Sequence, residues 1–394
     1  MIFTDIRKMY LFAFLAELTF FGSVAVPFFL EWGRLNYTQI FILEAWFMGC
    51  VFLLEIPTGV VADRIGRKYS LFLSGLVGSV GLSIFGLFSN FYLFLLAEFI
   101  LAASVAFMSG ADSALVYEIL KRQKKEKQAK YIFSRYKIFN TLGIIVAVPV
   151  GSTVAGLMIW SYPANLALPF LLTCVPVFLS GIIALTIKET KTPKFKESYI
   201  STGIKGIKYF SGHKMLKALA ADMVLVSSTT FFMYWFYQSL LGKLGLNVGI
   251  NGFVAAGFNL LAIILLSQIK PIEKLFGIKK LLFLTAILPG IFYLGLAFTN
   301  SLVFILIAIF AITGLRGLRE PIFQHHINFY VNKKNRSTIL STISMLNRLC
   351  MVVLYPIVGF LSDISLEYTF LILGILTIVF AVVFRTSEEI LNHK

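Results

Sequence analysis

Ionisable side chains stand inside long apolar runs of this 394-residue chain. They are Glu17, Glu98, Asp112, Asp222, Arg316, Arg319, Glu320, His325, His326 and Arg348. A charge in the middle of a membrane costs roughly 2.5–3.5 kcal/mol even on mild insertion scales, so such groups pair with each other or face a wet interior. The chemistry they suit is the taking and releasing of protons, or the holding of a polar solute. Glu17 and Asp222 are candidate proton or substrate carboxylates, against a bland alternative in which each is tied to a nearby hydroxyl or lysine for packing. Glu98 and Asp112 are spaced to lie four turns apart on nearly one helix face. Arg316 and Glu320 have the i,i+4 spacing of a helical ion pair. His326 lies two turns beyond Arg319, and histidine titrates near neutral pH. Proton coupling is one role for it; meeting water or lipid heads is another. Arg348 suits an anionic group or a structural pair.

Aromatic residues crowd the same runs. Phe231 to Tyr237 is almost wholly aromatic, and Phe21 and Phe28 share a helix face with Glu17. Such walls suit amphipathic or cationic ligands through stacking and cation–π contact, or they simply pack and face lipid. Neither a His-x-x-x-His pair nor a phosphate-binding Gly-x-x-x-x-Gly-Lys-Ser/Thr loop is present, so no metal, cofactor, enzyme activity or ATP-driven step is expected. Cys50, Cys174 and Cys350 sit in apolar runs as small hydrophobes.

The elements that must position these groups are membrane helices. The chain is 58% hydrophobic and only 14% charged, whereas a soluble domain has about 45–50% and about 25%. Twelve apolar runs are long enough to cross a bilayer, each needing roughly 20 residues. The expected fold class is an all-α membrane protein. It has a first six-helix bundle over 1–187, a linker over 188–214 and a second bundle over 215–394. Ile200 to Phe210 is either a surface helix or an irregular basic loop. The outer connections hold only Arg34 and Lys243, while the inner ones carry the other connecting Lys and Arg residues. That bias places both termini in the cytoplasm of a cell that carries the protein in its plasma membrane. It also explains the net charge of +16 through orientation and anionic lipids, without nucleic acid.

The halves read as repeats. Gly110 to Pro149 and Gly317 to Pro356 have the same length, Asn140 and Asn347 share their offset of 207, and Leu15-Ala16-Glu17 aligns with Ala220-Ala221-Asp222. Arg319 falls at the Asp112 offset. An ion pair between these two, across the halves, made in one conformer and broken in another, is one expectation; Arg319 held within its own half by Glu320 is the other.

Between the second and third runs stands Gly59-Val60-Val61-Ala62-Asp63-Arg64-Ile65-Gly66-Arg67-Lys68. Gly59, Asp63, Arg64, Gly66, Arg67 and Lys68 resemble the signature of the major facilitator superfamily, and the preceding Glu55-Ile56-Pro57-Thr58 is similar to that of a prokaryotic subgroup. Glu273 to Lys280 is a worn copy lacking the Asp. The resemblance implies two pseudo-symmetric six-helix bundles. It also implies a central cavity lined by the first, fourth, seventh and tenth helices, which points Glu17, Asp112, Asp222, Arg316, Arg319, Glu320 and His326 inward. It implies a cytoplasmic gate in which Asp63 meets the start of the eleventh helix near Ser337 and Thr338, and Arg67 binds Glu118. The fifth run, Gly143 to Gly156, resembles the Gly- and Pro-rich signature of exporters but lacks its Gly-Pro and Gly-Gly pairs.

The expected function is a monomeric secondary transporter in contact with membrane lipids. It works by alternating access and exports small amphipathic or drug-like molecules against protons. The alternatives are proton-linked uptake or exchange of an organic anion, and a transporter-like receptor or lipid-handling protein without ion-coupled turnover.

Overall fold

The computed structural model describes residues 4–189, 214–330 and 336–384. Every regular element among them is helical. Ten helices are long and apolar enough to cross a membrane, and two bent pairs raise the number to as many as twelve. The chain divides into two compact units. The first holds Met1–Lys196 with Asn247–Ala256, and the second holds Glu197–Leu246 with Gly257–Lys394. Most of the expected linker over 188–214, with its Ile200–Phe210 helix, lies outside the described residues. Asn247–Ala256, from the second half of the chain, is counted with the first unit.

The first unit contains α1 (Asp5–Ala16), a short α2 (Ala25–Pro27) extended by the wider turn Phe28–Trp32, and α3 (Tyr37–Ile65). These are followed by α4 (Arg67–Leu87), α5 (Phe91–Met108), α6 (Ala111–Arg122), α7 (Ala129–Gly156) and α8 (Leu168–Leu185). Local sequence sets several starts. Asn36 and Gln39 form a reciprocal capping box at α3, and the Asn90 side chain accepts from the amides of Tyr92 and Leu93 at α5. Each satisfies amides that a helix start leaves unpaired.

The first span is broken, with a 58° bend between its parts. Free backbone groups at membrane depth must find partners. Here α7 and α8 supply them. The Phe20 amide donates to Thr173 Oγ1 at 3.0 Å, and the Ser23 hydroxyl donates to the Val148 carbonyl at 2.8 Å. Two glycines of the fifth run, whose likeness is to an exporter signature, pack on the first span: a Cβ at Gly143 would meet the Phe14 carbonyl at 2.6 Å, and one at Gly151 would meet the Phe20 backbone.

The fourth run is also broken. Ser109 and Gly110 separate α5 from α6, and Gly110 has φ +74°. The single face expected to carry both Glu98 and Asp112 is therefore split. Glu98 sits in the α3–α5 seam, whereas Asp112 meets α7.

The second unit contains α9 (Lys214–Phe231), α10 (Met233–Lys243), α11 (Asn251–Ser267), α12 (Ile269–Phe276) and α13 (Ile278–Leu296). After these come α14 (Leu302–Tyr330), α15 (Arg336–Ile364) and α16 (Leu366–Val383). The Ser365 side chain caps α16 by accepting from the amides of Glu367 and Tyr368. Equivalent helices meet through equivalent small residues: Gly75 on Gly181 between α4 and α8, and Gly290 on Gly374 between α13 and α16.

Candidate functional site

The signature turn is built by a helix stop, a glycine and a helix start. The chain leaves α3 after Ile65, passes Gly66 at φ 107° and ψ 151°, and enters α4 at Arg67. That backbone region is open to glycine almost alone. The Arg67 guanidinium donates to Glu118 on α6, so the structure brings together the two residues that the resemblance paired. Glu118 is only 6% exposed. A second carboxylate, which sequence reasoning missed, closes the turn from behind. Glu189 accepts from the backbone amides of Arg67 at 2.6 Å and Lys68 at 3.2 Å. It therefore caps α4, where the free N–H groups and the helix dipole favour a negative charge.

The chain just before Glu189 is tied down as well. The Lys8 ammonium donates to the Thr186 carbonyl at 2.7 Å, and Arg122 donates to both the Lys188 carbonyl and Asp5. Asp63 and Arg64 are exposed, Gly59 is half-buried in α3, and Lys68 lies over the Tyr69 ring. Ser337 and Thr338 stand in the first turn of α15, but their side chains lie outside the described residues.

Deeper in the first unit, Glu17 closes α1, where the first span loses its α-helical backbone ahead of the bend between Ser23 and Ala25. Lys137 and Asp112 are the charges that act on it. Asp112, in the first turn of α6, accepts from the Tyr136 hydroxyl at 3.0 Å. Tyr136 lies on the face of α7 that also bears Asn140, whose buried Oδ1 has no hydrogen-bond partner among the described residues. Glu17, Asp112, Tyr136 and Lys137 thus form one polar cluster at the break.

In the second unit, the position equivalent to Asp112 is basic, and it finds an acid in its own half. Arg319 on α14 donates through Nη2 to Asp222 Oδ1 on α9 at 2.5 Å. Its Nη1 donates to the Leu282 carbonyl at 2.7 Å and to Thr285 Oγ1 at 3.2 Å on α13. The guanidinium also lies over Phe323, 4.7 Å from the ring centre. Arg319 is 1% exposed and Asp222 4%.

The acid that meets Arg319 here is Asp222 of its own half, a partner that the repeat offsets did not suggest; a buried charge is far costlier unpaired than paired. Helix α14 also bears Glu320, His325 and His326, whose side chains lie outside the described residues.

Arg316, one turn earlier, lies 5.1 Å from the centre of Phe231 and 5.3 Å from that of Tyr234. Its Nε donates to the Ser227 carbonyl at 3.4 Å. Tyr234 in turn packs edge-on against Phe258. Arg348 is half-buried on α15. Asn347, the counterpart of Asn140, accepts from the Ser228 hydroxyl at 3.3 Å. Phe28, by contrast, is wholly buried against Phe170, 4.0 Å away, with Phe85 and Phe94 around it. It is packing rather than a ligand wall.

A membrane-helix fold in two units, with this signature turn, is that of a transporter rather than an enzyme. The family pattern of the Major Facilitator Superfamily matches residues 9–265 and 223–393, and the chain belongs to that superfamily. It therefore has the family's two six-helix halves. Family members bind small-molecule substrates and usually act as monomers.

The chain is 27% identical over 138 residues to proteins named glucose/galactose transporter in Brucella abortus, a match that covers 34% of this chain and 32% of each of those. It is 23% identical over 248 residues to an uncharacterised MFS-type transporter, YxaM, of Bacillus subtilis, covering 61% of this chain and 59% of that protein. Among solved structures, the nucleoside transporter NupG matches with a TM-score of 0.77 at 14% identity over 100% of both chains. A bacterial homologue of the human lysosomal transporter Spinster, inward-facing and occupied, matches with 0.75 at 15% identity over 97% of this chain and 94% of that one. These likenesses to solved structures establish the fold alone.

Proposed function

We propose that the protein is a proton-coupled secondary transporter that moves a small organic solute by alternating access. The observation that carries this reading is the Asp222–Arg319 pair. A buried ion pair is weak evidence for stability, because desolvation offsets much of the attraction. It is well suited to a switch, because protonating Asp222 frees Arg319 and unbalances the bundle. At the equivalent place in the first unit, Glu17 and Asp112 offer two further carboxylates for protons or solute. The signature turn, braced by Arg67–Glu118 and Glu189, acts as the cytoplasmic gate, a role that the family resemblance gives to Asp63 as well. The distribution of Lys and Arg supports cytoplasmic termini and a plasma-membrane location.

Two solute classes have support. Arg316 over Phe231 and Tyr234 suits the export of amphipathic or drug-like molecules. The named relatives favour sugars, or nucleosides, which also stack on aromatic rings. Uptake of an organic anion and a receptor without gradient-driven flux are the other outcomes of the same experiment. Vesicles reconstituted with the protein and given a pH gradient are loaded with glucose, uridine, an organic anion or a cationic dye. One solute is expected to move with the gradient, and Asp222→Asn is expected to uncouple that flux. Binding without any gradient-driven flux overturns the proposal.

A further inference from the structure

The worn copy of the signature contains a short helix that departs from the direction of its neighbour. Helix α11 stops at Ser267, and the Gln268 amide is shared between the Ile264 and Leu265 carbonyls, both at 3.2 Å. Eight residues then form α12, and the helix that follows is turned from it by 98°. Pro271 falls in the first turn of α12, where its missing N–H is not needed. In the first unit, α3 instead runs unbroken through 29 residues to Ile65. With Gly66 and Gly277 aligned, Lys274 falls where α3 has Asp63, and Leu275 falls where it has Arg64.

Depth decides what surrounds α12. The nineteen residues of α13 rise about 28 Å, close to the roughly 30 Å of a bilayer core, so α13 crosses it unaided. A helix at right angles to a crossing helix adds no depth and lies along the membrane plane. Helix α12 joins the end of α13 that begins Ile278-Lys279-Lys280, which is the cytoplasmic end by the lysine distribution.

The two sides of α12 differ in chemistry. Ile269, Ile272, Leu275 and Phe276 share one arc of about 120°, with Lys270 and Lys274 opposite. The bundle covers only part of that arc. Ile269 and Ile272 pack against the core that holds Leu219, Leu282 and Phe323. Leu275 remains 77% exposed and Phe276 41%. Lys270, Lys274 and Lys280 are exposed as well.

Exposed leucines are ordinary on a spanning helix, where lipid covers them, but α12 does not span. Two side chains offer a few hundred Å² at most, well short of the roughly 800 Å² per partner of a stable protein interface. A leaflet, by contrast, always lies beside α12, because α13 is embedded in it. Lysines next to apolar tips match phosphate heads above acyl chains.

We infer that α12 is an interfacial anchor that holds the inner end of the second unit on an anionic leaflet. Leu275 and Phe276 enter the acyl boundary, while Lys270, Lys274 and Lys280 meet lipid phosphates. The anchor does not rest on the identity of the solute or on proton coupling.

The test needs no flux. In the full-length chain carrying Cys50→Ala, Cys174→Ala and Cys350→Ala, a spin label is placed by Leu275→Cys, Phe276→Cys or Lys270→Cys. Each protein enters nanodiscs of phosphatidylcholine, with or without phosphatidylglycerol. Collisions with oxygen, which favours lipid, are compared with collisions with a neutral nickel chelate, which favours water. The oxygen-to-nickel ratio is expected to be roughly threefold higher at 275 and 276 than at 270, because the apolar side of an interfacial helix is immersed. Phosphatidylglycerol should lower nickel access at 275, and Lys270→Gln with Lys274→Gln should remove that response.

Equal ratios at 275 and 270 would put α12 in water and end the proposal. So would a 275 label shielded from both reagents, which would mean that protein covers it; spin–spin broadening would then identify a second copy. Nickel access that ignores phosphatidylglycerol would overturn the anionic preference.

Discussion

The signature turn and its worn copy have kept one backbone and parted in their chemistry. Gly66 in the first unit has φ 107° and ψ 151°, and Gly277 in the second has φ 70° and ψ 149°. Each amide closes the preceding helix, Gly66 onto Ala62 at 3.0 Å and Gly277 onto Glu273 at 2.9 Å. A Cβ at Gly66 would meet Glu189 Oε2 at 2.8 Å, whereas a Cβ at Gly277 would meet nothing within 4 Å. The shape of the turn belongs to the repeat. Among the described residues, the carboxylate that bolts it and the Arg67–Glu118 pair stand in the first half.

The deeper charges reverse this imbalance. The second unit joins acid to base, Asp222 to Arg319, where the first sets two acids, Glu17 and Asp112, at the equivalent positions. Among the described residues, the most buried ion pair of each half, Arg67–Glu118 and Asp222–Arg319, therefore sits at a different depth.

Unequal damage from equivalent substitutions would sharpen this contrast. The largest effect is expected from Arg319→Leu, which leaves Asp222 buried without its partner and should cost about 3–5 kcal/mol. Asp112→Asn, at the matching position, keeps an acceptor for Tyr136 and should cost less than about 1 kcal/mol. Thermal midpoints of the purified proteins compare the two, and equal losses would break the contrast.

Next come the turns. Gly66→Ala and Gly277→Ala both place a side chain in a backbone region that costs about 1–3 kcal/mol. Gly66→Ala should cost visibly more, because the added methyl also displaces Glu189. Identical midpoint shifts would mean that Glu189 is not a bolt.

The smallest difference is expected from Glu189→Gln, which weakens a helix cap worth about 1 kcal/mol, set against Glu273→Gln, which should be neutral. Amide hydrogen exchange at the start of α4 and of α13 reads this locally. Faster exchange is expected in Glu189→Gln at α4 alone.

The membrane helices were legible in the sequence because apolar length is a crude and strong signal. The Arg67–Glu118 pair was legible because the signature carries its own spacing and fixes where the arginine stands. The partner of Arg319 was not. An offset between repeats places residues at similar depth, but contact depends on how α9 and α14 are turned about their axes, and one sequence does not set that. Glu189 was hidden for another reason: it arrives from beyond α8, 122 residues from the amide it accepts, with no local pattern to announce it. The break after Glu17 was equally silent. Phe20-Phe21-Gly22-Ser23 looks as apolar as a continuous helix, and only α7 and α8 show what holds the loosened backbone.

That broken first span also bears on the order in which the protein is made. The Phe20 amide waits for Thr173, 153 residues downstream, and the Ser23 hydroxyl waits for the carbonyl of Val148. The first span is thus completed only by spans that are made after it. It stays an incomplete helix until the sixth span of its own half arrives to receive it.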